Sequence, residues 1–220
     1  MFRLSENRRG AGLVVEILMI VIGINVALWF EGWFQDLEDI ETEAEYLADL
    51  RGDLMRDIRE LEVAIESGVA KSARTTEILS DWDAVVHGTD EDRAEAIYTP
   101  PMYQFFTPSG FTFHSMQESG DFRLLRDAEV KKGLLSLDRR YRLIDTLQSN
   151  YLQALDDGYI PLMMQSFDIA TMTVSDPTLF DNQLFRNFFV YTKQDIDGMV
   201  YVYRKALEDA EALLELLPES

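Results

Sequence analysis

Residues 11–34 read AGLVVEILMIVIGINVALWFEGWF, and the reading of this stretch decides the fold. At ~1.5 Å per residue a helix over these positions spans roughly 36 Å, enough for a hydrocarbon core of ~30 Å. The competing reading is a buried core helix. Against it, the run is apolar on every face for most of its length. Trp29, Phe30, Trp33 and Phe34 crowd one end, as an interfacial aromatic belt does, and Arg3, Arg8 and Arg9 precede the other. A transmembrane helix over 11–34 is therefore expected, with Trp29, Phe30 and Trp33 as its belt. A cleaved signal peptide is disfavoured, because bulky rings stand where a small-x-small cleavage site belongs.

Charge sets the expected orientation. Residues 1–10 carry three arginines and one glutamate, whereas residues 35–62 carry eleven acids against Arg51, Arg56 and Arg59. The positive-inside rule places residues 1–10 in the cytoplasm as a short tail and residues 35–220 on the far side as an exported domain. Two polar residues interrupt the span. Glu16 either snorkels to the headgroups or faces a neighbouring helix, since Gly12, Glu16, Ile20, Gly23 and Ala27 share one face. Gly23 and Ala27 have the small-xxx-small spacing that lets two backbones approach closely. Asn25 lies about 180° round the helix from Glu16 and prefers a polar partner to lipid. Glu16, Gly23, Asn25 and Ala27 are thus the expected in-membrane contacts, on more than one face.

Beyond the span the pattern is helical. Leu37, Ile40, Ala44, Leu47, Leu50, Leu54, Ile58, Leu61 and Ile65 recur at spacings of three and four, predicting one helix from the membrane to about Gly68. A second helix is expected over 70–87 and a short one over 91–97 capped by Asp90. Residues 98–114 read YTPPMYQFFTPSGFTFH; three prolines and a glycine exclude a helix interior. Its rings, among them Tyr98, Tyr103, Phe105, Phe106, Phe111 and Phe113, either fold back as a lid on the core or present a docking surface. A helix ending at Ser119 with left-handed Gly120 is expected, then a helix over 128–167 capped by Asp127 and kinked at Pro161. A loop at 174–178 precedes a last helix over 180–217. No strand pattern survives, so the expected fold class is all-α: one N-terminal transmembrane helix continuing into an antiparallel bundle of long helices.

The net charge of −20 repels phosphate backbones and disfavours nucleic acid as a partner. There is no cysteine, which removes disulfides and thiol chemistry. His87 and His114 lie on different elements without metal-ligand spacing, and no nucleophile elbow, P-loop or GxGxxG is present. No catalytic residue, metal or cofactor is expected.

Glu16 opening an apolar helix, then Ile22-Gly23-Ile24, Ala27-Leu28 and Trp33, forms one recognisable stretch. Ser119-Gly120-Asp121, Leu124-Leu125-Arg126-Asp127, Leu134-Leu135 and Arg140-Tyr141 form a second. Together they resemble the DUF6090 family of small bacterial single-pass membrane proteins of unknown function. The chain departs from that family at Trp29-Phe30-Glu31-Gly32, where the family tends to be polar and Asn-rich. The resemblance implies a bacterial inner-membrane protein and supplies no activity. The functional expectation is a non-enzymatic protein that acts by assembly in the lipid bilayer, as a homo-oligomer or an accessory subunit of a membrane complex. The alternative is a membrane-anchored sensory or ligand-binding helical domain, which requires a roomy pocket with convergent polar groups.

Overall fold

The computed structural model describes residues 6–102 and 104–218, with side chains from Glu16 onward. The chain divides into two units, Met1–Leu47 and Ala48–Ser220. Helix α1, Glu6–Ser80, starts in the first unit and ends in the second. Short helices α2 (Trp82–His87), α3 (Asp90–Tyr98) and α4 (Phe111–Ser119) follow. Two longer helices, α5 (Ala128–Ala154) and α7 (Gln183–Leu216), flank the short α6 (Ile160–Ser166). The fold is all-α, as expected from the three- and four-residue periodicity.

The second unit is a bundle of α1, α5 and α7, and its cross-helix contacts give the directions. Arg51 donates to the carbonyls of Leu214 and Leu217, Gly68 faces Val200, and Ser72 donates to Asp197. Numbers rise along α1 as they fall along α7, so the two are antiparallel. Along α5, Gly133 faces Leu213, Arg140 pairs with Asp209 at 2.5 Å and Gln148 meets Tyr203 at 2.5 Å. α5 is therefore antiparallel to α7 and runs in the same sense as α1. The short helices α2–α4 carry the chain back between these two parallel members.

Several expected boundaries move, each for a local reason. α1 continues past Gly68 to Ser80. That glycine is a packing site: a Cβ there would stand 2.5 Å from Val200 Cγ2, so its absence lets α1 and α7 approach. The break falls instead at Asp81, whose side chain caps α2 by accepting from Ala84 N. The cap of α3 is Thr89, one residue before Asp90. Thr89 and Asp92 form a capping box, with Asp92 accepting from Thr89 N at 2.8 Å.

α4 ends at Ser119 with Gly120 at φ 84°, and Asp127 caps α5 through Glu129 N and Val130 N, both as the sequence predicts. The kink expected at Pro161 takes the form of a π turn over Leu155–Tyr159. Proline has no N–H, and its ring crowds the carbonyl four residues back, so the helix widens by one residue ahead of it. The strand-free reading is corrected at one place: Phe167–Asp168 and Thr173–Val174 form a two-residue antiparallel ladder, pairing Phe167 with Val174.

The core is aromatic where α2, α6 and α7 meet. Phe185 stacks on Tyr159 at 5.5 Å and lies 5.4 Å from both Phe180 and Phe189, while Trp82 meets Phe189 at 5.3 Å. The Tyr159 hydroxyl donates to Ile97 O at 2.6 Å, which satisfies the one polar atom this ring buries.

Candidate functional site

The expected in-membrane contacts lie on the first part of α1. Every side chain from Glu16 to Glu38 is exposed. Trp29 and Trp33 stack at 6.5 Å with an interplanar angle of 12°, and Phe30 packs edge-on to Trp29 at 5.2 Å. The spacing of four residues puts the two indoles one above the other on one helix face. A Cβ on Gly23 would meet nothing within 4 Å, so the chain's own packing does not require a glycine there. Asn25 is partly satisfied by its own helix: its side-chain N–H donates to Val21 O at 2.7 Å. Asn25 thus enters any contact with a neighbour through what remains of the amide. Glu16, Gly23, Asn25 and Ala27 remain separate along one helix and form no pocket.

The aromatic segment between α3 and α4 folds mainly as a lid. Phe106 is 1% exposed, its ring 5.2 Å from Tyr141 and 6.3 Å from Tyr203. The Gln148 side chain holds it there, donating to Phe106 O at 3.1 Å and accepting from Phe106 N at 3.0 Å. Phe113 is buried, edge-on to Phe122 at 5.7 Å. Phe106 and Phe113 are therefore withdrawn from the expected docking surface, because their rings fill the core. Phe105 is half-buried against the same cluster. Phe111 is 79% exposed and keeps a surface role open. Tyr103 lies outside the described residues.

Lys71 clasps this lid from α1. Its Nζ donates to Pro100 O at 2.5 Å and Met102 O at 2.9 Å, and lies 5.1 Å from the Tyr151 ring centre. Burial pushes its ammonium pKa down to about 7. The unfolded chain holds the proton up to about pH 10.5, so this group makes folding more favourable as pH rises from 7 towards 10. Above pH 10 the tyrosines reverse the trend. Burial raises the Tyr151 and Tyr159 hydroxyls, so the unfolded chain ionises first. Stability to denaturant should rise by about 3 kcal/mol between pH 7 and 10. Lys71→Met should flatten that rise, and an unchanged slope would remove Lys71 as its source.

A site that the sequence reading missed lies between α1, α4 and α5. Asp53 and Asp57 of α1, Asp138 and Tyr141 of α5 and His114 of α4 surround a cavity of about 220 Å³ floored by Leu50, Leu54, Phe113, Leu134 and Leu137. Asp53, Asp57 and Asp138 are buried, whereas Asp145, which also lines the cavity, is exposed; the three buried carboxylates are not equivalent. Asp53 is paired with Arg56 and accepts from Thr112 N at 3.1 Å. It thereby caps α4, whose own N-cap residue, Gly110, has no side chain to do so. Asp138 is paired with Arg142, with His114 Nε2 at 3.8 Å. Asp57 accepts from Ser109 N at 2.7 Å, and no cation pairs with it among the described residues. Burial is the main influence on its acidity and raises its pKa, against the donors from Ser109. Tyr141 stands beside it, its hydroxyl buried and short of a full hydrogen bond.

The signal for this site was present in the sequence. Asp53 and Asp57 share the three- and four-residue stripe of Leu50, Leu54, Leu61 and Ala64, the face that is buried. Among the described residues no three His, Asp or Glu side chains converge as metal ligands would.

Fold and sites together define a class: a helical bundle preceded, among the described residues, by one helix long and apolar enough to cross a membrane. Comparison with protein-family models, curated proteins and solved structures returned no match.

Proposed function

We propose that this chain is a non-enzymatic, single-pass protein of a bacterial inner membrane that acts by assembly. In this reading residues 1–10 are cytoplasmic, residues 11–34 span the bilayer and residues 35–220 form a periplasmic domain. The location follows the charge asymmetry and the resemblance to the DUF6090 family.

One observation carries the assembly. Val26, Phe30, Trp33, Leu37 and Ile40 are all exposed on α1, spaced alternately by four and three residues, and Ala44 and Leu47 continue the series. Such a series is a coiled-coil seam. Lipid covers its first members. Leu37 and Ile40 stand among Asp36, Glu38, Asp39 and Glu41, which do not enter hydrocarbon, so a second helix is what would cover them. Between Gln35 and Leu50 there are seven acids and no base. In a parallel pair of copies Asp36 of one would face Glu41 of the other, a repulsive register. Along this segment a membrane-protein partner with basic flanks fits better than self-pairing. Copies of the chain would meet through Gly23 and Ala27.

The absence of native cysteine makes the test direct. Leu37→Cys, Ile40→Cys and, off the seam, Asp39→Cys are labelled in native membranes with a benzophenone maleimide and photocrosslinked, so that the neighbour needs no thiol of its own. Adducts at Leu37→Cys and Ile40→Cys but not at Asp39→Cys are expected. Their mass separates a foreign subunit from a second copy, and monomer alone at all three positions rejects assembly along the seam. The alternative, a ligand-binding helical domain, gains one specific observation, the cavity beside Asp57.

A further inference from the structure

We propose that the cavity between α1, α4 and α5 binds a small organic cation, an ammonium group on an apolar body, with the ammonium at Asp57 and the body against Leu54, Leu134 and Phe113. This goes beyond the assembly reading and does not depend on it.

Size comes first. A dry protein cavity of ~150 Å³ holds a benzene molecule, so about 220 Å³ suits a ligand of roughly eight or nine non-hydrogen atoms. Polarity comes next. The floor is aliphatic and aromatic, which favours an apolar body over a sugar or a nucleotide. Charge then selects the head group. The Asp53 and Asp138 carboxylates already have Arg56 and Arg142, whereas Asp57, 2% exposed, has none among the described residues. A buried carboxylate held only by neutral donors is costly, and a desolvated ammonium beside it removes that cost. The Tyr141 hydroxyl stands beside Asp57 on the same wall and adds a second polar group there. Asp145, the fourth carboxylate of the lining, is exposed to water, so among the described residues Asp57 is the buried carboxylate of this cavity that lacks a cation.

The loop-holding role of Asp57 does not account for the cavity. Accepting from Ser109 N explains why a carboxylate stands there, since it anchors the turn before α4. An Asn would accept the same N–H. It would carry no charge, and it would not require space beside it.

The probe is benzylammonium, titrated calorimetrically into the full chain in lipid nanodiscs, with empty nanodiscs as blank. Saturable binding is expected, at least tenfold tighter than benzyl alcohol and with benzoate excluded. Asp57→Asn should weaken it tenfold or more, and Leu134→Phe, which fills the floor and keeps every carboxylate, should abolish it. Asp36→Asn, an acid remote from the cavity in sequence, should leave it unchanged and so excludes general attraction to an acidic protein. The proposal is overturned if no saturable binding occurs up to ~10 mM. Equal affinity for the alcohol or indifference to Leu134→Phe overturns it as well. Should Asp57→Asn fail to fold by circular dichroism, the alcohol comparison and Leu134→Phe decide alone. None of these outcomes bears on crosslinking along the α1 seam, so the two readings fail separately.

Discussion

Replacing Phe185 by alanine should cost the helical domain about 3–5 kcal/mol. The ring is fully buried and has four aromatic neighbours: Tyr159, Phe180, Phe189 and, at 6.2 Å, Trp82. These neighbours come from α2, the π turn, the 3₁₀ turn before α7 and α7 itself. A cavity here cannot close by shifting one element, because each neighbour is fixed by its own helix. Trp82 and Tyr159 are further held by hydrogen bonds to Phe180 O and Ile97 O. Little relaxation is therefore expected, which puts the cost at the upper end of the range for such truncations. For a domain of this size each kcal/mol lowers the midpoint by about 2–4 °C, so a shift of roughly 6–20 °C is expected in a thermal melt followed by near-ultraviolet circular dichroism. Phe111→Ala is the matched control. That ring is 79% exposed, so its loss should change stability by no more than ~0.5 kcal/mol. A Phe185→Ala shift as small as the Phe111→Ala shift would mean that the core is not organised around this ring.

The contrast between those two phenylalanines shows what the sequence could tell and what it could not. The spacing of Phe185, Phe188, Phe189, Ile196, Val200, Tyr203, Leu207, Leu213 and Leu216 reads as an apolar helix face; six of these are buried, Phe188 and Leu207 are half-buried, and Leu216 is exposed. Phe111 and Phe106 sit in a stretch without a period, so nothing local says which ring turns inward. The decision comes from Gln148, a long way along the chain, which bonds both backbone groups of Phe106. Local chemistry was legible where one residue type dominates the choice, as in the left-handed Gly120 or the Asp127 cap, but not at α3, where Thr89 and Asp90 are both good caps and Thr89 takes the role.

It failed where a residue serves a distant partner. Gly68 looks like a helix end and is a contact with Val200. Asp53 and Asp57 look like two more acids in a solvated run, yet both are buried and accept from the backbone of the first turn of α4 and of the loop before it, more than fifty residues on. An acid on the apolar stripe of an amphipathic helix is the physical signal for such a role. It was masked here because acids are so abundant on the opposite face.

The second large effect concerns the span itself. Ile22→Arg combined with Ile24→Arg should release the chain from the membrane. Both positions lie near the middle of residues 11–34, and both side chains are more than half exposed on α1, so nothing in the chain shelters a charge placed there. Each arginine at the centre of a spanning helix costs about 2.5–3.5 kcal/mol for insertion, giving roughly 5–7 kcal/mol for the pair. Snorkelling offers little relief, because the nearest headgroup region is about three helical turns away in either direction. Glu16 makes the comparison informative. It is tolerated near one edge, whereas the same helix has no charged residue between Glu16 and Glu31. The double variant should move from the carbonate-resistant membrane pellet to the extract, and a C-terminal reporter that works only after export should fall silent. Ile22→Leu with Ile24→Leu, equally apolar, should stay in the pellet with the reporter active. If both pairs remain in membranes, α1 is not what holds the chain there. If the leucine pair is extracted as readily as the arginine pair, the helix packs against protein and not lipid, and the acidic domain has no reason to be on the far side.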